Sequence, residues 1–120
     1  MDADGSINGP ITISAGGALY VNGGTIHGPL SSTRAAALTL CAANISGPVT
    51  ATSTTGPVLI GGSNCPGNSI SGPVTITRNT GGVSFVGNTV HGPVTITNNT
   101  GGFSYSGNTV TGPVTVSGNS

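Results

Sequence analysis

Charge is almost missing from this 120-residue chain: charged side chains make up 3% of it, against roughly a quarter in an ordinary soluble domain. The strong bases are Arg34 and Arg78, the carboxylates are Asp2 and Asp4, and the formal net charge is zero. No basic stripe exists to neutralise phosphates or anionic headgroups, which excludes nucleic acid and a charged membrane surface as partners. Both carboxylates lie at the N-terminus, so paired-carboxylate proton transfer and acidic calcium sites are excluded as well. No acid stands beside either histidine to complete a Ser-His-Asp triad. His27 and His91 share a position in the repeat described below but lie three rungs apart, about 14 Å at the spacing of β-strands, too far to hold one metal ion. The chain is expected to be no enzyme, with no cofactor and no metal.

Aromatic residues are equally scarce, at 3%. Tyr20 is the one aromatic expected to point outward, so the stacking platform of a carbohydrate groove is lacking. The longest apolar run, 35–43, is too short to span a bilayer and predicts no membrane insertion. Residues 1–6 carry no basic segment followed by an apolar one, so no signal peptide is read there. Disorder is excluded too, because β-branched residues recur at fixed places and net charge is absent. Solubility falls to Thr, Ser, Asn and Gly, which hydrate through hydroxyl, amide and backbone groups.

What is present is a repeat. Related segments begin INGPITIS at Ile7, IHGPLSST at Ile26, ISGPVTAT at Ile45, ISGPVTIT at Ile70, VHGPVTIT at Val90 and VTGPVTVS at Val110, separated by 19, 19, 25, 20 and 20 residues. A period of this length marks a solenoid. Units rich in Gly-Pro, Gly-Gly, Gly-Asn, Thr and Val are poor helix formers, so each turn must consist of strands and corners. The pattern predicts an all-β parallel β-solenoid of about six coils, one domain over residues 1–120, with a tail or cap at 1–6 and a loop insertion at 62–66. Each unit reads as an alternating run around Gly-Pro and a second strand after the next corner, as in Val83-Ser84-Phe85. Stacking places Ile7, Ile26, Ile45, Ile70, Val90 and Val110 in one inward column, and Ile11, Leu30, Val49, Val74, Val94 and Val114 in another. Leu19, Leu38, Val58, Val83 and Phe103 form a third; Val21, Leu40, Ile60, Phe85 and Tyr105 follow two residues on. Gly supplies positive φ and Pro a fixed φ at the corners, where Asn68, Asn88 and Asn108, and separately Asn79 and Asn99, recur in register. They read as turn-forming residues able to build amide ladders.

The insertion carries Cys65, and Cys41 ends the equivalent strand one coil earlier. Two cysteines on adjacent rungs of an exported chain predict a Cys41–Cys65 disulfide, since a zinc site would need more ligands than two thiols.

The runs GNTVHGPVTITNNTGG from Gly87 and GNTVTGPVTVSGN from Gly107 resemble the tandem glycine, threonine and valine repeats of secreted bacterial, particularly actinobacterial, parallel β-helix proteins. The resemblance implies a β-helix and an extracellular or cell-surface location, without a defined activity.

One surface exceeds what folding needs. Beside Gly-Pro the outward positions are Thr12 and Ser14, Ser31 and Thr33, Thr50 and Thr52, Thr75 and Thr77, Thr95 and Thr97, and Thr115 and Ser117. Residues two apart on a strand stand about 6.8 Å apart and rungs about 4.8 Å, so these hydroxyls are expected to form a flat lattice. The face resembles the Thr-x-Thr faces of β-solenoid antifreeze proteins, which implies ice or another repetitive surface as partner. Threonine is also a favourable outward strand residue in its own right, so the competing reading is a structural or adhesive module of a cell-surface or filamentous assembly, self-associating end to end.

Overall fold

The computed structural model describes residues 2–3, 6–61 and 67–119, and at 2–3 the backbone path. The described chain is all-β. Its strands fall into three sheets of six, and every pairing is parallel, between a strand and the one that follows it three elements later. The first, the aromatic sheet, holds Asp2–Ala3, Ala18–Asn22, Ala37–Cys41, Val58–Ile60, Val83–Val86 and Phe103–Ser106. The second, the short sheet, holds Ser6–Asn8, Thr25–His27, Asn44–Ile45, Ser69–Ile70, Thr89–Val90 and Thr109–Val110. The third, the threonine sheet, holds Ile11–Ile13, Leu30–Thr33, Val49–Thr52, Val74–Thr77, Val94–Thr97 and Val114–Ser117. One turn visits the three in order, which makes the molecule a parallel β-solenoid.

All four expected columns are in register. Val74 pairs with Val49 and Val94, Ile70 with Ile45 and Val90, Val58 with Leu38 and Val83, and Phe85 with Ile60 and Tyr105. A fifth inward column lies on the threonine sheet: Ile13, Ser32, Ala51, Ile76, Ile96 and Val116. Most of these side chains are inaccessible, so the core is a thread of aliphatic residues along the axis. Phe85 is fully buried and stacks on Tyr105, with ring centroids 5.7 Å apart and planes 6° from parallel. At that separation the rings are offset rather than face to face, the arrangement their quadrupoles favour.

The structure differs from the sequence reading in the number of strands per turn. The alternating run around Gly-Pro is two strands belonging to different sheets, because the chain bends at every Gly-Pro. Proline cannot donate to a neighbouring rung, but its carbonyl accepts: the N–H groups of Ile11, Leu30, Val49, Val74 and Val94 donate to Pro29, Pro48, Pro73, Pro93 and Pro113 of the next rung, each at 2.9 Å. At several of these corners the glycine before the proline is needed for closeness. A Cβ on Gly47 would stand 2.6 Å from the Gly28 backbone, one on Gly72 2.7 Å from Gly47, and one on Gly112 2.5 Å from Gly92. Positive φ is required at Gly9 and Gly28, with φ of 112° and 158°, and also away from the prolines. At the corner after the threonine sheet, Arg34, Ser53, Arg78 and Asn98 have φ of 55°, 57°, 58° and 58°, so the arginines sit in left-handed backbone. Their side chains are exposed.

The N-terminus pairs with the stack. Asp2–Ala3 is a strand, with Asp2 opposite Tyr20 and Ala3 opposite Val21, and Ser6–Asn8 opens the short sheet. The insertion at 62–66 lies outside the described residues, between Gly61 at the end of one strand and Gly67.

Candidate functional site

The threonine sheet carries the candidate face. Its inward residues alternate with outward ones, and pairing is one to one, without a bulge, along the whole sheet. Thr12, Ser31, Thr50, Thr75, Thr95 and Thr115 therefore form one outward column. Thr33, Thr52, Thr77, Thr97 and Ser117 form the second, and Ser14 follows the end of its strand. In the middle rungs Thr50, Thr52, Thr75, Thr77, Thr95 and Thr97 are half-buried, each flanked above and below by threonine or serine; at the two ends Thr12, Ser14, Thr115 and Ser117 are exposed. Neighbouring hydroxyls can link along the axis, as Thr77 Oγ1 and Thr97 Oγ1 do at 3.3 Å. A shallow hollow of about 300 Å³, lined by Thr12, Ser14, Thr33 and Arg34, marks the N-terminal corner of the face.

Two ladders of asparagine, buried except at their last rung, run along corners of the solenoid. One runs Asn68, Asn88, Asn108 at the corner between the aromatic and short sheets; the other runs Asn79, Asn99, Asn119 at the corner that follows the threonine sheet. Each rung repeats one geometry. The Oδ1 of Asn99 accepts from the N–H of Asn79 at 3.0 Å and from its Nδ2 at 2.8 Å, while the Nδ2 of Asn99 donates to Ile76 O at 3.2 Å and Asn119 Oδ1 at 2.7 Å. Both donors and both lone pairs of the amide are used, which a buried amide requires. The recurring Asn was visible in the sequence; its burial was not, since a corner asparagine is ordinarily a solvated one. The ladders stop towards the N-terminus, where the Ala43 N–H donates to Asn68 Oδ1 and the Thr54 N–H to Asn79 Oδ1. Beyond them the same positions hold Gly24 and Ala35.

The other residues singled out in the sequence do not converge. His27 and His91 are both exposed on the short-sheet side. Among the described residues no group of three His, Cys, Asp or Glu side chains could hold a metal ion. No helix among them is long and apolar enough to cross a membrane. Tyr20, 45% exposed, shares the outward side of the aromatic sheet with Leu59, 38% exposed. Cys41 is buried at the end of its strand, and Cys65 lies outside the described residues. Sequence reasoning missed the buried hydroxyls of Ser32 and Thr54, which have no hydrogen-bond partner among the described residues. The signal for Ser32 was there: it occupies the column of Ile13, Ile76 and Ile96.

Comparison with protein-family models, with curated proteins and with solved structures finds no match for this chain, so its functional reading rests on the geometry above.

Proposed function

We propose that this chain is a non-catalytic, extracellular β-solenoid whose threonine sheet binds ice. The observation that carries the reading is the double column Thr50, Thr75, Thr95 and Thr52, Thr77, Thr97, in which backbone pairing sets every spacing. Rungs repeat at about 4.8 Å and alternate residues at about 6.8 Å, so hydroxyls and methyls recur in two dimensions on a scale close to repeats in ice. Water held between the methyl rows and hydrogen-bonded to the hydroxyls would then be ordered before it meets a crystal. The near absence of charge supports the same reading, because strongly hydrated ions would disturb such a layer. The resemblance to secreted bacterial β-helix proteins supports export, and with it a Cys41–Cys65 disulfide.

The test is thermal hysteresis and ice shaping by the soluble chain. Thr75→Tyr or Thr95→Tyr should abolish both while leaving the far-UV circular dichroism and melting temperature unchanged. Ordinary ice growth in concentrated wild-type solution would dispose of the proposal.

A second reading, a structural or adhesive module of a cell-surface or filamentous assembly, is favoured by the stack itself, three parallel sheets of six strands that repeat along one axis. Rods seen by electron microscopy would support it, and a monomer at all concentrations would count against it.

A further inference from the structure

The two asparagine ladders differ in what they hold. Each amide of the ladder that follows the threonine sheet reaches back one rung and grips both ends of the corner there. Asn79 accepts from the Thr54 N–H at 2.8 Å and donates to Ala51 O at 3.3 Å, so one side chain brackets Thr52 and Ser53. Asn99 accepts from the Asn79 N–H at 3.0 Å and donates to Ile76 O at 3.2 Å, which brackets Thr77 and Arg78 in the same way. Asn119 repeats the grip around Thr97 and Asn98. The gripped carbonyls belong to the peptide bonds that join the inward residues Ala51, Ile76 and Ile96 to Thr52, Thr77 and Thr97 of the second outward column. Amides of the other ladder grip Leu40 O and Ile60 O instead, on the aromatic sheet.

The corner turns without this grip. Arg34, Ser53 and Arg78 share the same left-handed backbone, with φ of 55°, 57° and 58°. Yet the ladder position one rung beyond Thr33 and Arg34 is held by Thr54, whose buried hydroxyl has no hydrogen-bond partner among the described residues. The second-column threonine is exposed at that ungripped corner, Thr33, and half-buried at the gripped ones, Thr52, Thr77 and Thr97. The hydroxyls of Thr77 and Thr97, 3.3 Å apart, join two gripped corners.

We propose that Asn79 and Asn99, both fully buried, are positioning residues of the ice-binding face. The inference rests on the ice-binding reading and adds to it the residues that orient the second threonine column. Threonine is stiff at χ1, and the rotamer it adopts depends on its own backbone angles. An amide that fixes the peptide plane before Thr52 or Thr77 therefore fixes where the hydroxyl and methyl of that threonine point. Supporting hydrogen bonds of this kind decide whether a site is merely present or held in register. The ordered part of the face is accordingly the run of gripped rungs, Thr50 to Thr97, and it ends at Thr33 because Thr54 supplies no amide.

Thermal hysteresis compared at equal concentrations of folded wild type, Asn99→Ala and Asn88→Ala tests this. Both variants delete a buried ladder amide, but Asn88 lies at the corner between the aromatic and short sheets, away from the face. Asn99→Ala should at least halve the hysteresis, and NMR couplings across χ1 should show Thr77 averaging over rotamers; Asn88→Ala should keep both at wild-type values. Thr54→Asn is the converse variant: it continues the ladder by one rung, brackets Thr33 and Arg34, and should raise hysteresis while slowing hydrogen exchange of the Ala35 amide at least tenfold. Should Asn99→Ala fail to fold, Thr54→Asn decides. A wild type without hysteresis would end the ice-binding reading and the positioning role with it. An active wild type whose Asn99→Ala and Asn88→Ala variants are equally active or equally impaired overturns the positioning role alone, as does a Thr54→Asn variant that slows Ala35 exchange without raising hysteresis.

Discussion

Asn88→Ala offers the sharpest test of what holds the rungs together. Asn88 is 1% exposed, and its side chain makes four hydrogen bonds: Oδ1 accepts from the N–H of Asn68 at 3.0 Å and its Nδ2 at 2.8 Å, while Nδ2 donates to Ile60 O at 2.7 Å and Asn108 Oδ1 at 3.1 Å. Alanine removes all four. Asn108 Oδ1 keeps a donor in the N–H of residue 88, but the Asn68 N–H and one Asn68 Nδ2–H lose their partner in a buried corner, and the Ile60 carbonyl loses one donor. A buried polar group left unpaired costs about 1–3 kcal/mol, and water entering the space left by the amide offsets part of this, so the expected loss is about 3–5 kcal/mol. That is a large fraction of the stability of a domain this size. Asn108→Ala is the internal comparison: it lies on the open rung, where solvent can replace the amide, and should lose about 1 kcal/mol. Urea unfolding followed by far-UV circular dichroism measures both. A loss below about 1 kcal/mol for Asn88→Ala, or equal losses for the two variants, would refute the view that the ladders are structural.

Three further outcomes follow from the same geometry. Gly72→Ala places a Cβ 2.7 Å from the Gly47 carbonyl carbon and should destabilise by about 1–3 kcal/mol through rung separation; an unchanged thermal midpoint would show that the Gly-Pro corner does not set rung spacing. Ser32→Ala and Thr54→Val remove hydroxyls that are fully buried and unpaired among the described residues, so each should be neutral or stabilise by about 1 kcal/mol, and a clear loss in urea would show that the hydroxyls have a partner. Peptide mapping without reductant should recover Cys41 linked to Cys65, and reduction should lower stability by about 3 kcal/mol for a closed loop of about 25 residues; recovery of both thiols free would dispose of the bond.

The solenoid was legible because its period is carried by residues that cannot be exchanged freely. Every unit repeats a β-branched or aliphatic residue before and after Gly-Pro, and those positions became the buried columns. The outward threonines were legible for the same reason, since parallel pairing without bulges keeps parity along each strand. The third sheet was not, because strands as short as Asn44–Ile45 or Ser69–Ile70 leave no alternation to read. Positive φ accounts for Gly9 and Gly28, as the sequence suggested; at Gly47, Gly72 and Gly112 the clash that forbids a side chain comes from a residue about twenty positions away, in the neighbouring rung, which no single unit displays. Burial of the ladder asparagines depends likewise on contacts between rungs.

The turns do not all have the same length, and the surplus is unevenly placed. From the short sheet to the threonine sheet the inward residues are always four apart, Ile7 to Ile11 as much as Ile70 to Val74 or Val110 to Val114. All variation falls beside the aromatic sheet: five residues separate Val21 from Ile26 where ten separate Ile60 from Ile70, and six separate Ser32 from Leu38 where seven separate Ile76 from Val83. The corner made by glycine and proline thus acts as a spine that indexes the hydroxylated surface, while the far side absorbs length. Loops, tags or whole peptides grafted between Gly61 and Gly67 should therefore leave the threonine spacing untouched, and the same cargo placed at a Gly-Pro corner between the short and threonine sheets should destroy it.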